Sequence, residues 1–197
     1  MSNLTKNIKL NVSGSLSKNN INNFNPAYAV RNDCQVGQWK VGDDKFLGAT
    51  LDIAIIATNP YYGALGKTKP TSWLQVFFIG SPSETKIPTN TVCVTYLKTQ
   101  SLTNLTQVVV QQMEHTDPGL GIFTASFTKK VSDLGNYYVV DFTFRDRVES
   151  EIPQLELIAQ FLEQNPLLTD NVPATMVQLT GGVTMDDAKQ LLLLPAE

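Results

Sequence analysis

The segment Tyr61-Tyr62-Gly63-Ala64-Leu65-Gly66-Lys67-Thr68 sets two aromatic rings and a cation around two glycines and ends in the Gly-Lys-Thr of a phosphate-binding loop. That motif needs a glycine, four residues and then Gly-Lys-Ser/Thr, because backbone N–H groups must curl around the phosphates. The first glycine would fall at Tyr61. The loop must also open a helix whose N-terminus faces the anion. Here Lys69-Pro70 follows and then TSWLQVFFI, a strand-like run, and proline biases its predecessor away from helical geometry. Both requirements fail, so this stretch is not read as a nucleotide-hydrolase loop. What remains is Tyr61, Tyr62, Lys67, Lys69 and Trp73 between two strands, with Gly63 and Gly66 letting the loop approach or close over a ligand. Aromatic faces that stack bases, beside cations that follow phosphates, are the chemistry of single-stranded nucleic-acid binding. The competing reading makes Trp73 and one tyrosine core, and the lysines ordinary surface charge.

A second group, Lys129-Lys130 with Tyr137-Tyr138, straddles a hairpin. Neighbours on a strand alternate in direction, so one member of each pair points outward. An exposed tyrosine beside lysine is a stacking platform with a phosphate contact, or a solvated hairpin tip.

The remaining reactive groups do not assemble an enzyme. The single histidine, His115, lies between Glu114 and Asp117, short of the three or four Cys/His ligands that zinc sites use. No GxSxG elbow positions a serine nucleophile. The carboxylate pairs Asp43-Asp44 and Asp186-Asp187 fall in a turn and at a helix start, where capping accounts for them. No catalytic residue, metal or cofactor is expected. Cys34 and Cys93 form no CxxC pair, and two cysteines read as free thiols of a reducing cytoplasm. The N-terminal stretch MSNLTKNIKLNVSGS lacks the apolar core of a secretory signal, and no apolar run reaches the ~20 residues of a membrane helix; the expected location is cytoplasmic.

Three regions organise the 197 residues. Residues 1–27, rich in Asn and Ser, read as a flexible arm, with Ile8, Leu10 and Val12 alternating as a short edge strand would. Residues 28–147 read as a β-barrel. FLGATLDIAIIAT puts Leu51, Ile53 and Ile55 on one face, with Gly48 as a bend; Trp73 to Ile79 is apolar on both faces; TVCVTYLKT opposes Cys93, Thr95 and Leu97 to Val92, Val94 and Tyr96. Val108 to Val110 fits either sheet or the end of a helix begun at Ser101. Gly121–Val131 and Tyr137–Phe144 flank a five-residue connection, with Phe123, Ala125, Phe127, Val140, Phe142 and Phe144 facing inward. Residues 148–197 read as an acidic helical extension: Leu155, Ile158, Ala159 and Leu162 recur at helical spacing after Ile152-Pro153, and a second helix follows Thr184. The fold class expected is mainly β with C-terminal helices. A small, partly open, OB-like barrel fits best, with a two-sheet sandwich as competitor. The absence of long amphipathic crossovers argues against a parallel α/β sheet.

The net charge of −3 divides into +4 through Arg145 and −7 from Asp146 onward. A weakly basic body with an acidic extension recruits opposite charge with each part.

The run GQWKVGDDKFLGATLDIAIIATNPYYG, then SWLQVFFIG, TVCVTYLKTQS and GIFTASFTKKVSDLGNYYVVDFTFRD, resembles phage- and plasmid-type single-stranded DNA-binding proteins with an OB barrel, over residues 36–147. The likeness lies in strand order and spacing, aromatics near strand ends and a Lys-rich hairpin. It implies a non-enzymatic binder of single-stranded DNA or RNA, but the C-terminal LLLLPAE lacks the acidic, aromatic-ended tip by which bacterial binders of this class recruit partners. From its charge the acidic extension is expected to bind partner proteins or to compete for the basic groove, and a homo-oligomer is a further expectation. The alternative is a structural or assembly protein of a mobile element or phage-like particle, whose barrel serves self-association. Charge placement separates the two: Lys67, Lys69, Lys129 and Lys130 gather on one face in the first and scatter in the second.

Overall fold

The computed structural model describes residues 28–133, 135–164 and 177–178. Eight strands form one path: β1 (Tyr28–Asp33), β2 (Gln38–Val41), β3 (Lys45–Gly48), β4 (Thr50–Gly63), β5 (Thr71–Gly80), β6 (Cys93–Leu97), β7 (Ile122–Ser132) and β8 (Gly135–Arg145). Helix α1 (Thr99–Met113) joins β6 to β7, and α2 (Ile152–Gln164) follows β8. The spatial order is β3-β2-β1-β6-β5-β4-β7-β8, curled into an open half-barrel, and a two-residue β9 (Val177–Gln178) pairs with β4. Among these described pairings all are antiparallel except β1 with β6. Strands β4, β5 and β6 are a meander, and β7 returns through α1 to lie beside β4, which is a Greek key.

Side-chain alternation divides the core into two layers. Leu51, Ile53 and Ile55 of β4, Val76 and Phe78 of β5, and Phe123 and Ala125 of β7 line the inner layer, where α1 adds Leu105. Alternation sends Ala54 and Ile56 to the outer layer, and a register shift between Ile55 and Ala57 adds Ala57 to it, beside Phe77, Ile79 and Val94. There α2 packs Leu155, Ile158 and Phe161. Strand β5 is therefore buried on both faces, as its unbroken apolar run requires. At Gly48 a left-handed backbone (φ +87°) ends β3 and admits the turn into β4.

The curl is fixed by polar contacts between distant strands. The Trp39 indole on β2 donates from Nε1 to the Ala125 carbonyl (3.2 Å) and tilts against Phe127 at 5.3 Å. The Tyr138 amide of β8 donates to the Cys34 carbonyl in the β1–β2 turn (2.8 Å). Part of β8's edge is closed by a helix. Ser101 Oγ on α1 accepts from the Val140 amide (2.9 Å), and the Asn104 amide donates to the Val140 carbonyl (3.1 Å) and to the Asp141 carboxylate. The second helix is anchored by a bidentate pair, Arg145 with Glu151 (2.7 and 2.8 Å), and by Gln154 Nε2 donating to the Gly80 carbonyl (2.8 Å).

The mainly β architecture expected from sequence is present, with more strands than the five that the barrel reading needed. The β7–β8 pairing runs further toward the turn than the five-residue connection expected, reaching Ser132 opposite Gly135. The ambiguous Val108–Val110 run is helical, with Val108 and Val109 packed on the inner layer. The first C-terminal helix is described from Ile152 to Gln164, and the stop expected at Asn165-Pro166 lies outside the described residues. The N-terminal arm and the helix expected after Thr184 lie outside the described residues. Among the described residues no helix is long and apolar enough to cross a membrane.

Candidate nucleic-acid interface

Strands β4 and β5 run two-by-two into their hairpin, with Tyr61 opposite Trp73 and Tyr62 opposite Ser72. Alternation therefore sends the adjacent tyrosines to opposite faces. Tyr62 is 47% exposed, whereas Tyr61 (4%) and Trp73 (9%) are buried on the face that continues the α2 layer. The buried pair builds the hairpin's support. Trp73 Nε1 donates to the Gly63 carbonyl (3.0 Å), and a β-carbon at Gly63 would collide with the Tyr61 hydroxyl, so a larger residue there requires the buried Tyr61 ring to shift. Tyr61 meets Tyr96 of β6 edge-on at 5.6 Å, and Gln75 Nε2 donates to the Tyr96 hydroxyl (2.8 Å). Burial raises the pKa of both phenols; at Tyr96 the Gln75 hydrogen bond partly opposes the rise. Above the support lies Lys98, its Nζ 4.9 Å from the Trp73 ring centre. This cation–π contact holds the ammonium at the rim.

The loop between β4 and β5 closes locally. Thr68 Oγ1 accepts from the Leu65 amide (3.0 Å) and donates to its carbonyl (2.8 Å), and Gly66 takes a left-handed φ of +59°. Lys67 and Lys69 flank that turn, both exposed. Among the described residues Lys67, Lys69 and Lys98 belong to no ion pair, while Arg31, Lys40, Lys86 and Arg145 each have a carboxylate. Three uncompensated cations thus stand at the hairpin end of β4, β5 and β6.

The second group divides in the same way. Lys129 pairs with Tyr138 and Lys130 with Tyr137, on opposite faces of the hairpin. Tyr137 (42%) and Lys129 are exposed; Lys130 and Tyr138 are half-buried. The Tyr138 ring lies over Gly37 in the β1–β2 turn, where an added β-carbon would sit 2.7 Å from it. That turn is also tied to β6, since Asn32 Nδ2 donates to the Tyr96 carbonyl (2.7 Å) and to Thr95 Oγ1 (3.2 Å). The two groups of residues therefore sit on hairpins linked through the end of β1. The four lysines named from sequence do not share one face, because Lys129 and Lys130 diverge; by the charge-placement criterion the set of four counts toward the assembly reading, and only Lys67 and Lys69 stay together, at the β4–β5 turn.

Sequence reasoning missed Lys98 and Tyr96. The alternation of TVCVTYLKT does place both on the face of Val92 and Val94, but only the fold brings Lys98 to Trp73. The remaining reactive groups stay dispersed. His115 is exposed just beyond α1, and the Asp117 carboxylate accepts from the Gly119 amide (2.8 Å) to cap a short 3₁₀ turn. Among the described residues no three His, Cys, Asp or Glu side chains gather as a metal site would require. Cys34 is half-buried and Cys93 buried, both free. Burial pushes the Cys93 thiol up to about 12; the Cys34 thiol is also raised by burial and by Asp33, with Lys98 pulling the other way.

Comparison with protein-family models, with curated proteins and with solved structures returns no match.

Proposed function

We propose that this chain binds single-stranded nucleic acid without catalysing a reaction, at the hairpin end of β4, β5 and β6. The observation that carries the reading is the half-exposed ring of Tyr62 on a hairpin that also displays Lys67 and Lys69, none of whose charge a carboxylate neutralises among the described residues, with Lys98 at the same end of the sheet. A ring supplies a stacking surface worth ~1–3 kcal/mol per base, and free lysines supply phosphate contacts. Tyr61 and Trp73 act beneath the surface, holding the hairpin in shape. The curled Greek key of β4 to β8, with a helix between β6 and β7, supports an OB-type barrel, to which β1 to β3 add a further antiparallel unit.

Fluorescence anisotropy with a labelled oligo-dT at several salt concentrations tests the proposal. Binding should weaken steeply with salt as condensed counterions are released. Lys67→Ala with Lys69→Ala should flatten the slope by about 0.7 per lost phosphate contact. Tyr62→Ala should weaken binding and leave the slope nearly unchanged. Absence of binding by the wild-type chain at low salt rejects the proposal and favours an assembly role.

A further inference from the structure

Two exposed features lie outside the proposed site, and they complement each other. The first is the β7–β8 hairpin. Strand β7 runs antiparallel to β4, with Phe123 opposite Ile53 and Ser126 opposite Thr50, so it leaves β4 in the direction away from Gly63 and the Tyr62 turn. Beyond Lys129 and Tyr138 its pairs, Lys130 with Tyr137 and Val131 with Asn136, have no third strand beside them among the described residues. A two-stranded ribbon is marginally stable by itself, and this one carries Val131 at 78% exposure. Strand alternation puts Val131 on the face of Lys129. Lys129 is also exposed and belongs to no ion pair among the described residues.

The second feature is the outward face of α2. Ile152, Pro153, Glu156 and Leu157 share it, at i, i+1, i+4 and i+5, turned away from the buried Leu155, Ile158 and Phe161. All four are exposed. A solvent-facing helix surface is ordinarily polar, whereas here three apolar side chains surround one carboxylate. Glu156, Glu149 in the 3₁₀ turn before α2, and Asp146 are exposed and in no ion pair among the described residues. One chain does not bring its own two features together. Hairpin tip and helix start lie at opposite ends of the eleven-residue β8, roughly 30 Å apart at ~3.3 Å per residue. Helix α2 also packs on Ala54, Ile56 and Ala57, on the far side of the β4–β7 pairing from the hairpin. We propose that the Lys129–Val131 face of the hairpin docks on the α2 face of a second copy, with the ammonium against Glu156 and the valine against Ile152 and Leu157. The chain's own residues after Gln164 suit that face less well, because Asp170, Asp186, Asp187 and Glu197 against Lys189 repeat its sign. The contact joins unlike surfaces, so it is heterologous and links copies head to tail, into a ring or an open row. It does not depend on nucleic-acid binding.

Sedimentation velocity of the full chain, without nucleic acid, tests the contact. Average mass should rise with protein concentration and fall with added salt, because exposed charges are screened. Lys129→Glu and Glu156→Lys should each return the chain to monomer and leave the unfolding midpoint near that of wild type, since both positions are exposed. An equimolar mixture of the two variants should associate again, because each hairpin then meets a helix face of opposite sign. Ile152→Asp should also abolish association, whereas Lys67→Glu, at the β4–β5 turn, should leave it as in wild type. A wild-type chain that stays monomeric at every concentration overturns the proposal, as does a mixture that fails to associate. Association lost with Ile152→Asp but untouched by Lys129→Glu also overturns it, by giving the α2 face a different occupant.

Discussion

Replacing Ser101 by alanine is the sharpest probe of how the half-barrel closes its last edge. Its hydroxyl accepts from the Val140 amide at 2.9 Å, and both residues are buried, Val140 completely. Deleting the acceptor leaves a desolvated N–H with no partner, which costs ~1–3 kcal/mol. Alanine returns a few tenths through its higher helix propensity, so a net loss of about 1–2.5 kcal/mol is expected. Thr103 on the same helix provides the contrast. Its hydroxyl bonds back to the Thr99 carbonyl at 3.2 Å in an exposed setting, an interaction that contributes nothing or slightly weakens a helix. Thr103→Ala should therefore stay within about 0.5 kcal/mol of wild type. Urea unfolding followed by tryptophan fluorescence reads both. With a urea m-value of ~1–3 kcal/mol/M, Ser101→Ala should lower the midpoint by roughly half to one molar, and exchange at the Val140 amide should accelerate. Equal midpoints for the two variants would refute the view that Ser101 closes the edge of β8.

Gly37→Ala should destabilise the protein by ~1–2 kcal/mol from its left-handed φ of +71° alone, and by more because the new methyl meets the Tyr138 ring. In a Tyr138→Ala background the extra loss should vanish, which a double-mutant cycle of unfolding midpoints measures. The Glu151 carboxyl is held below its ordinary value of 4.5, first by the Arg145 hydrogen bonds and then, against the effect of burial, by the Val148 amide. Its stabilisation is therefore complete above that ordinary value and is lost as pH falls through the folded value. Urea midpoints measured from pH 7 down to about 3 should drop on that acid side, and Glu151→Gln should be weaker at pH 7 with a shallower acid decline. Cys93, with its thiol pushed up to about 12 and its side chain fully buried, should resist a thiol reagent at pH 8 in the native state and react on unfolding. Modification of Cys93 at the rate of an unfolded thiol would contradict that burial.

Much of the sheet was legible because alternation in a half-buried strand is a direct consequence of pleat geometry. Leu51, Ile53 and Ile55 share one layer as read, and Cys93 and Leu97 oppose Val92 and Val94. Strand β1 escaped notice because YAVRND buries only Val30 among its six residues; its place depends on β6, far along the chain. The Val108–Val110 run left helix and strand open because β-branched residues suit either, and the decision came from the pocket that the curled sheet offers α1. The candidate site shows the same division. That Tyr61 and Tyr62 must diverge follows from neighbouring positions, whereas which of them reaches solvent depends on Tyr96 and Trp73. Alternation gave Lys98 a face, whereas its approach to Trp73 had no local signal.

The parallel pairing of β1 with β6 has a consequence for the order of events during synthesis. The β1–β2–β3 unit is made first, yet its partner is β6, with Asn32 and Tyr96 separated by 64 positions. At ~5–20 residues per second a nascent chain waits roughly 3–13 s between the two. During that interval the edge of β1 that will meet β6 has no strand to pair with, and the meander of β4, β5 and β6 must form before it can be covered. The amino-terminal hairpins therefore cannot take their place in the sheet until β6 has been made, although they leave the ribosome well before it.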